Sequence, residues 1–504
     1  MKVIAFYLPQ FHRVPENEQW WGEGYTEWTA VKNAEKLYEN QYQPRIPLNN
    51  NYYNLMEKDT MNWQSYLMKK YNIYGMCFYH YYFENGKKIL EKPAENLLKW
   101  IDIDMPFCFS WANESWARTW SQIPGKNSWN NLMETNNSHD GGILLRQEYG
   151  EEREWKEHFN YLIRFFKDSR YIKIDDRPVF LIHKPDSIPC LPQMMEKWNE
   201  LSRENGMNNI FFIASNSENA DFDACLRQEA NYSLGYFSEF IVDYDELSEE
   251  IVKNAASLSG KHYFCGFPGY DDTPRRGRNG RIIEDSTPDK FYKLMKRLFY
   301  LGDRIGNDVT FVNAWNEWGE GMYLEPDEKY GFGYLEALNK ALSDYKKIDE
   351  EEKKYLIDLV NTKINNSNTD VDYIRIRKYN HLMNLFNKWL FIKESGVSLQ
   401  IYFETKGYKR IALYGLGMAG NHLLAELKNS QMEIIYGIDR LGNQLKFSFP
   451  IYTPDAEIPL ADVIVVSITY DFNNIYKILK RKFAGPIVSL EEIIDYAGTK
   501  KAVK

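Results

Sequence analysis

Eight short apolar runs of β type recur along the first 320 residues, and they restrict the possible folds more than any other feature of the chain. They are KVIAFYL (2–8), GMCFYHYYF (75–83), PFCFSWA (106–112), PVFLIHK (178–184), NIFFIAS (209–215), NYSLGYF (231–237), HYFCGFP (262–268) and DVTFVNAW (308–315). Several are separated by stretches with apolar residues at three- and four-residue spacing, such as NWQSYLMKKYN (62–72) and EWKEHFNYLIRFFKDS (154–169), which predict helices. Strands alternating with helices build a parallel sheet, and eight such units predict a (β/α)8 barrel. Function is then expected where the strands end. Polar and aromatic residues collect there: Tyr7 and Gln10; His80 and Tyr81; Trp111, Asn113 and Glu114; His183 and Lys184; Asn216; Tyr236; Tyr270 and Asp271; Asn313, Asn316 and Glu317.

The pattern changes after about residue 345, which sets expected domains at 1–345, 346–404 and 405–504. In the middle segment DYKKIDEEEKKYLIDLV and NHLMNLFNKWLFIKES read as charged amphipathic helices, the second with Leu382, Leu385, Phe386 and Trp389 on one face. NTKINNSNTD (361–370) between them reads as a polar loop. From residue 405 a small Rossmann-like α/β domain is expected: RIALYGLGMAGNHLLAELKNS places a G-x-G-x-x-G turn (Gly415, Gly417, Gly420) between strand and helix, and the next strand ends at Asp439. Two readings stand for this motif. The glycines and the helix N-terminus suit a nucleotide pyrophosphate and Asp439 a ribose hydroxyl; or the glycines serve only helix–strand packing. ADVIVVSITY (461–470) and GPIVSLEEI (485–493) are the later strands of this domain.

Charge excludes one class of partner. With 62 Lys and Arg against 71 Asp and Glu there is no basic field for a nucleic acid backbone. The opening MKVIAFYLPQFH carries too short an apolar run for a signal peptide, and no stretch reaches the roughly 18 apolar residues of a spanning helix. A cytoplasmic protein without transmembrane segments is therefore expected. Five cysteines (Cys77, Cys108, Cys190, Cys225, Cys265) without CxxC spacing predict buried thiols. Aromatic residues make up 16% of the chain, which fits either an aromatic core or a glycan cleft, where rings stack on sugar faces and polar neighbours bind the hydroxyls.

The segment NAWNEWGEG (313–321) concentrates the chemistry. Glycosyl transfer or hydrolysis needs one carboxyl to protonate a leaving oxygen and a second to act as base or nucleophile. Glu317 and Glu320 supply both at the end of the eighth run; on a helical turn, positions i and i+3 lie about 5–6 Å apart at Cβ. Trp315 and Trp318 beside them would lower the local dielectric and separate the two pKa values. Spacing alone also fits a solvated helix face. In SWANESWARTW (110–120), Asn113, Glu114, Trp116 and Arg118 read as sugar contacts or as a structural Arg–Glu pair under tryptophans. CGFPGYDDTPRRGRNG (265–280) reads as a loop over the cleft, with Asp271, Asp272, Arg275 and Arg276 available for polar contacts, or as an ordinary charged loop. Histidine spacing does not indicate a metal site, and there is no G-x-S-x-G elbow.

AFYLPQFH, WWGEGYTEW, SWANESWARTW, RPVFLIHKP, FPGYDDTPRRG and NAWNEWGEG, in this order, resemble the WbsX-type polysaccharide biosynthesis proteins, a group related to glycoside hydrolase family 99. The resemblance covers about residues 1–345. It implies a TIM barrel acting on α-mannoside-like linkages without a metal or other required cofactor, in assembly of O-antigen (the lipopolysaccharide side chain) or capsule. It also implies that Glu317 is the base and Glu320 the acid, with the 2-hydroxyl of the sugar as internal nucleophile and a 1,2-anhydro sugar as intermediate. Three functions remain open on this reading: a bacterial glycosyltransferase whose partners include an oligosaccharide or lipid-linked glycan, an endo-α-mannosidase-like retaining hydrolase, and a non-catalytic glycan-binding or scaffold protein. A nucleotide in the C-terminal domain is open as well. The amino-terminal half and the added C-terminal module depart from the hydrolases, so substrate and outcome do not carry over.

Overall fold

The computed structural model describes residues 1–117, 143–217, 221–228, 233–236, 241–258, 261–277, 280–365, 369–428, 430–440, 442 and 447–500. Contacts divide the chain into two compact units, the first reaching Thr369 and the second starting at Asp370.

In the first unit eight parallel strands close on themselves. They are β1 Lys2–Tyr7, β2 Gly75–Tyr82, β3 Phe107–Trp111, β4 Arg177–Ile182, β5 Phe211–Ser215, β6 Ala224–Leu226, β7 His262–Gly266 and β8 Val309–Val312. Each pairs in parallel with the next, and β8 returns to β1 with Lys2 opposite Val309 and Ala5 opposite Val312. Helices Lys58–Lys70, Lys92–Lys99, Glu152–Phe166, Leu191–Glu204, Tyr244–Ala256 and Pro288–Arg304 separate most of them, and Gly333–Asp344 follows β8. The predicted barrel is present.

One strand was misplaced in the sequence reading. NYSLGYF contributes a 3-10 turn, Ser233–Tyr236, and the sixth strand is Ala224–Leu226 instead. The reason is spacing: only residues 216–223 lie between β5 and β6, so no helical period announces a new unit. The predicted polar loop at 361–370 also differs, since helix Glu350–Asn365 takes its first half and helix Thr369–Glu394 starts before its end.

Strand alternation decides what each side chain meets, because successive residues point to opposite faces. Along β2, Phe78, His80 and Tyr82 point outward to the helices, where His80 stacks on Tyr161 and Tyr82 on His158. Tyr79 points inward and stacks on Phe6 of β1. Cys77, Cys108 and Cys265 are buried, and none of the five cysteines forms a disulfide.

The helical stretch between the barrel and the last domain belongs to two cores. Leu356 of helix Glu350–Asn365 is buried in the core of the first unit. Leu385 and Trp389 of the following helix are buried in the core of the second, with Leu382 and Phe386 packed beside them. The face predicted from sequence is the face that packs.

The second unit is a five-stranded, all-parallel sheet in the spatial order Ile451–Tyr452, Glu433–Ile438, Arg410–Tyr414, Val463–Val466, Ile487–Ser489. Numbered along the chain this is 3-2-1-4-5, a doubly wound order. Alternation splits its strands between two cores: Ile411, Leu413, Val463 and Val465 on one face, Ala412, Tyr414, Ile464 and Val466 on the other. Among the described residues no helix is long and apolar enough to cross a membrane.

Candidate active site

Just beyond β8 the chain makes a hairpin, Asn316–Glu317 against Met322–Tyr323, with the 3-10 turn Trp318–Glu320 at its tip. Gly321 closes the turn in the left-handed region at φ +65°, where a side chain would be strained. Asn316 moors the hairpin to the end of β1. Its Oδ1 accepts from the Leu8 amide (2.7 Å) and its Nδ2 donates to the Leu8 carbonyl (3.1 Å). That pairing uses up the side chain, so Asn316 holds the loop in place rather than facing the cleft.

Glu317 and Glu320 flank the turn and converge on one guanidinium. Arg275 donates from Nη2 to Glu317 Oε1 at 2.7 Å, from Nη1 to Glu320 Oε1 at 2.6 Å, and from Nε to Glu27 Oε1 at 2.7 Å. Arg275 comes from the short helix Thr273–Arg276 after β7, and Glu27 opens helix Glu27–Lys32 after β1. Gly319 lets them meet, because a Cβ there would collide with the Glu27 carboxylate and lie 2.8 Å from Arg275 Nε. Three carboxylates share one cation, with Glu27 and Glu317 buried and Glu320 partly exposed. Burial is the main force on Glu317 and pushes its carboxyl up to about 8; Arg275 pulls against it and the charge of Glu320 adds to it.

A further buried carboxylate, Glu325, lies beneath this turn. Glu325 accepts from Trp315 Nε1 and Gln64 Nε2 on Oε1, and from Trp318 Nε1 and Tyr53 OH on Oε2, all at 2.8 Å. Burial raises it to about 7, while these four donors favour its ionised form. Both tryptophans of the motif are thereby fixed. Trp318 also stacks on Tyr323 at 3.7 Å and is 1% exposed, which makes it a wall support and not a sugar platform.

Other predicted contacts fall into two groups. Tyr81 and Tyr270 lie near the pair, and the Glu317 charge acts on the first and the Glu320 charge on the second, behind burial, to raise both phenols. Glu114 pairs with Lys184 and lies 3.6 Å from His183 Nε2. Trp116 packs edge-on against Tyr81 at 5.3 Å. Tyr7, His80 and Trp111 face outward: Tyr7 donates to Gln64 Oε1 (2.7 Å), His80 Nε2 meets His158 Nε2 (2.8 Å), and Trp111 Nε1 donates to the Tyr82 carbonyl (3.1 Å). Asn113 clamps the backbone of Lys184 through both ends of its amide, at 2.7 and 2.8 Å. Asp271, 1% exposed, accepts from Gln41, Gln43 and Thr273 and so anchors the Arg275 loop. Arg118 lies outside the described residues.

Sequence reasoning missed Glu27, Glu325, Tyr79 and Gln228 as site groups. Tyr79 is the inward neighbour of His80; its hydroxyl accepts from Gln228 Nε2 at 3.1 Å, and burial first, then the charges of Glu317 and Glu320, raise its pKa. His183 lies on the same side, lowered by burial and in contact with Gln228. An alternation count anchored on a known core residue would have picked Tyr79, whereas Glu27 and Glu325 carry no local signal.

Comparison with known proteins decides the family. The model of the family described as "Glycosyltransferase WbsX" matches residues 3–338. The chain belongs to the WbsX glycosyltransferase family. This puts it among carbohydrate-active proteins. It is 32% identical over 365 residues to "Uncharacterized protein WxcX" from two Xanthomonas campestris pv. campestris strains, covering 68% of this chain and 49% of the relative. The chain thus spans about half the length of the curated relatives it matches. Among solved structures it is similar to the GH99 endo-alpha-mannosidase from Bacteroides thetaiotaomicron, at 16% identity and TM-score 0.44, over 68% of this chain and 97% of that one. A "Glycoside hydrolase-like protein" aligns at 13% identity and TM-score 0.45, over 68% and 93%. The WbsX match covers the barrel and stops before the second unit.

In that second unit the glycine turn is closed by its own neighbours. Asp439 Oδ2 accepts from the Leu416 amide at 2.9 Å, and the Gly415 carbonyl accepts from Ser467 Oγ at 2.7 Å. A Cβ on Gly420 would collide with the Gly415 carbonyl, so this glycine permits close approach of helix and strand, while Gly417 faces open space.

Proposed function

We propose that this WbsX-family protein is an enzyme that transfers glycosyl units at α-mannoside-like linkages during cell-surface polysaccharide assembly, with Glu317 as base and Glu320 as acid. The observation that carries the proposal is the convergence of both glutamates on Arg275 at the end of β8. Glu317 takes the proton of the sugar 2-hydroxyl, and O2 attacks C1 from the face opposite the leaving oxygen. The C1–oxygen bond breaks as Glu320 gives its proton to that oxygen, leaving a 1,2-anhydro sugar. An acceptor hydroxyl then opens the ring at C1, losing its proton to Glu320, while Glu317 returns a proton to O2. Two inversions give net retention. A carboxylate made more basic by burial suits removal of a hydroxyl proton, since a general base works best with a pKa near the working pH. Arg275 holds both carboxyls in register.

Hydrolysis by the same route is the second reading, with water in place of the acceptor. It is favoured by the Glu320 side chain being 22% exposed, which leaves a path for water. Mass spectrometry of products in ¹⁸O-labelled water separates the two. Elongated or exchanged α-mannosyl oligosaccharides without label support transfer; shortened, labelled products replace it with hydrolysis. Binding without any product, unchanged in Glu320→Gln, leaves only a glycan-binding role.

A further inference from the structure

A pocket lies outside the barrel, on the opposite face of β2 from Tyr79 and Tyr81. It encloses about 180 Å³ between β2, β3 and helices Glu152–Phe166 and Leu191–Glu204. Tyr82, Trp111, Tyr149, Trp155, His158 and Trp198 form its walls. Glu84, Asn85, Glu148 and Glu154 stand among its lining as polar groups, and no residue of the Arg275 network takes part. A cavity of about 150 Å³ suffices for one six-membered ring, so this volume suits a single ring.

The wall chemistry selects the kind of ring. His158 stacks on Tyr82 at 3.7 Å and shares a hydrogen with His80 at 2.8 Å. Burial holds both imidazoles neutral, with His80 pushed down to about 3. With neutral walls and carboxylates among the lining, an anionic ligand is disfavoured. Two of these carboxylates already have cations: Glu154 Oε1 accepts from Arg153 at 2.8 Å and Glu148 lies 4.0 Å from Arg146. Glu84 alone of the lining carboxylates stands outside these two pairs as a charge for a cationic ligand. The indole N–H groups of Trp111, Trp155 and Trp198 are bonded to backbone carbonyls; Trp111 and Trp198 are themselves buried, so the partly exposed rings of Trp155 and Tyr149 are the apolar surface on offer. Flat apolar faces with amide and carboxylate groups beside them match a neutral pyranose, whose C–H face stacks while its hydroxyls bond.

We propose that this pocket is a non-catalytic subsite for one neutral pyranose unit of a glycan. It takes its ligand class from the carbohydrate-active reading, but its test does not depend on turnover. Methyl glycosides of mannose, glucose, galactose and N-acetylglucosamine are titrated into the full chain, followed by saturation-transfer NMR and tryptophan fluorescence. Ring-proton saturation is expected for at least one sugar in both the parent and Glu320→Gln. Trp155→Ala should weaken binding about tenfold or more, as loss of a stacking face does. The exposed Glu148→Ala provides the same test should Trp155→Ala not fold, with a smaller loss expected. Saturation unchanged in both pocket variants assigns the sugar to the barrel mouth and overturns the proposal. So does the absence of saturation by every sugar, or displacement of a bound sugar by tetramethylammonium, which identifies a cation cage. Failure of the catalytic reading appears separately, as sugar binding without product.

Discussion

Gly319 separates a positioned glutamate pair from a chance one. In Gly319→Ala the new Cβ must displace the Glu27 carboxylate and disturb Arg275 Nε. Overpacking of this kind costs about 1–3 kcal/mol. Turnover should fall much further than the melting temperature suggests, and kinetics beside thermal melts check this. Glu320→Gln should abolish product formation while glycan binding remains; unchanged turnover removes the catalytic assignment. Glu317 yields a prediction in pH. Its folded pKa, near 8, lies above the ordinary 4.5, so the folded chain prefers the protonated form. The stability it contributes is fully present below about 4.5 and is lost as pH rises through about 8. Glu317→Gln should therefore melt higher than the parent under alkaline conditions, with the difference shrinking toward acid; thermal melts across that range measure it. Glu325→Gln replaces an acceptor of four hydrogen bonds with an amide whose nitrogen faces two donors. Leaving two buried donors unpaired costs roughly 2–5 kcal/mol. Chemical denaturation should show that loss, and kcat should fall because Trp315 and Trp318 no longer hold the turn.

At the scale of elements, β2 carries two jobs on two faces. Tyr79→Phe removes a hydroxyl at the glutamate pair and should alter kcat or KM with little loss of stability, whereas His80→Leu disrupts the outward packing against His158 and should lower stability with activity per folded molecule retained. Paired denaturation and kinetic measurements distinguish them, and the reverse pattern would show that the faces have been assigned the wrong way round. The elements were largely legible in the sequence because most barrel strands are flanked by strong helical periods. β6 was not, being three residues long and close behind β5. Choosing His80 over Tyr79 has the same kind of origin. The side-chain period of a strand is two, so an error of one residue moves a side chain to the other face.

For the whole molecule, each unit has its own cores: a large one around the barrel strands with a smaller cluster at Trp20, Tyr81 and Trp116, and two on the faces of the five-stranded sheet. Separate cores predict separable unfolding. Leu413→Ala, in the second unit, should cost about 2–5 kcal/mol there and move only one of two calorimetric transitions; a single shared transition that shifts as a whole would show that the units unfold together. By itself the sequence determined the number and order of most βα units, the apolar face of the helix carrying Leu385 and Trp389, the glycine turn of the last domain, and the placing of Glu317 and Glu320 after the eighth strand. These follow from periodicity and turn chemistry, which act over a few residues. Only the tertiary structure decided which carboxylates share a cation. Arg275 and Glu27 are 248 residues apart in the chain, and closure of the barrel brings the loops after β1, β7 and β8 together at one rim. Barrel closure is a long-range event that local patterns do not encode residue by residue, so the pair could be read from the sequence but its partners could not.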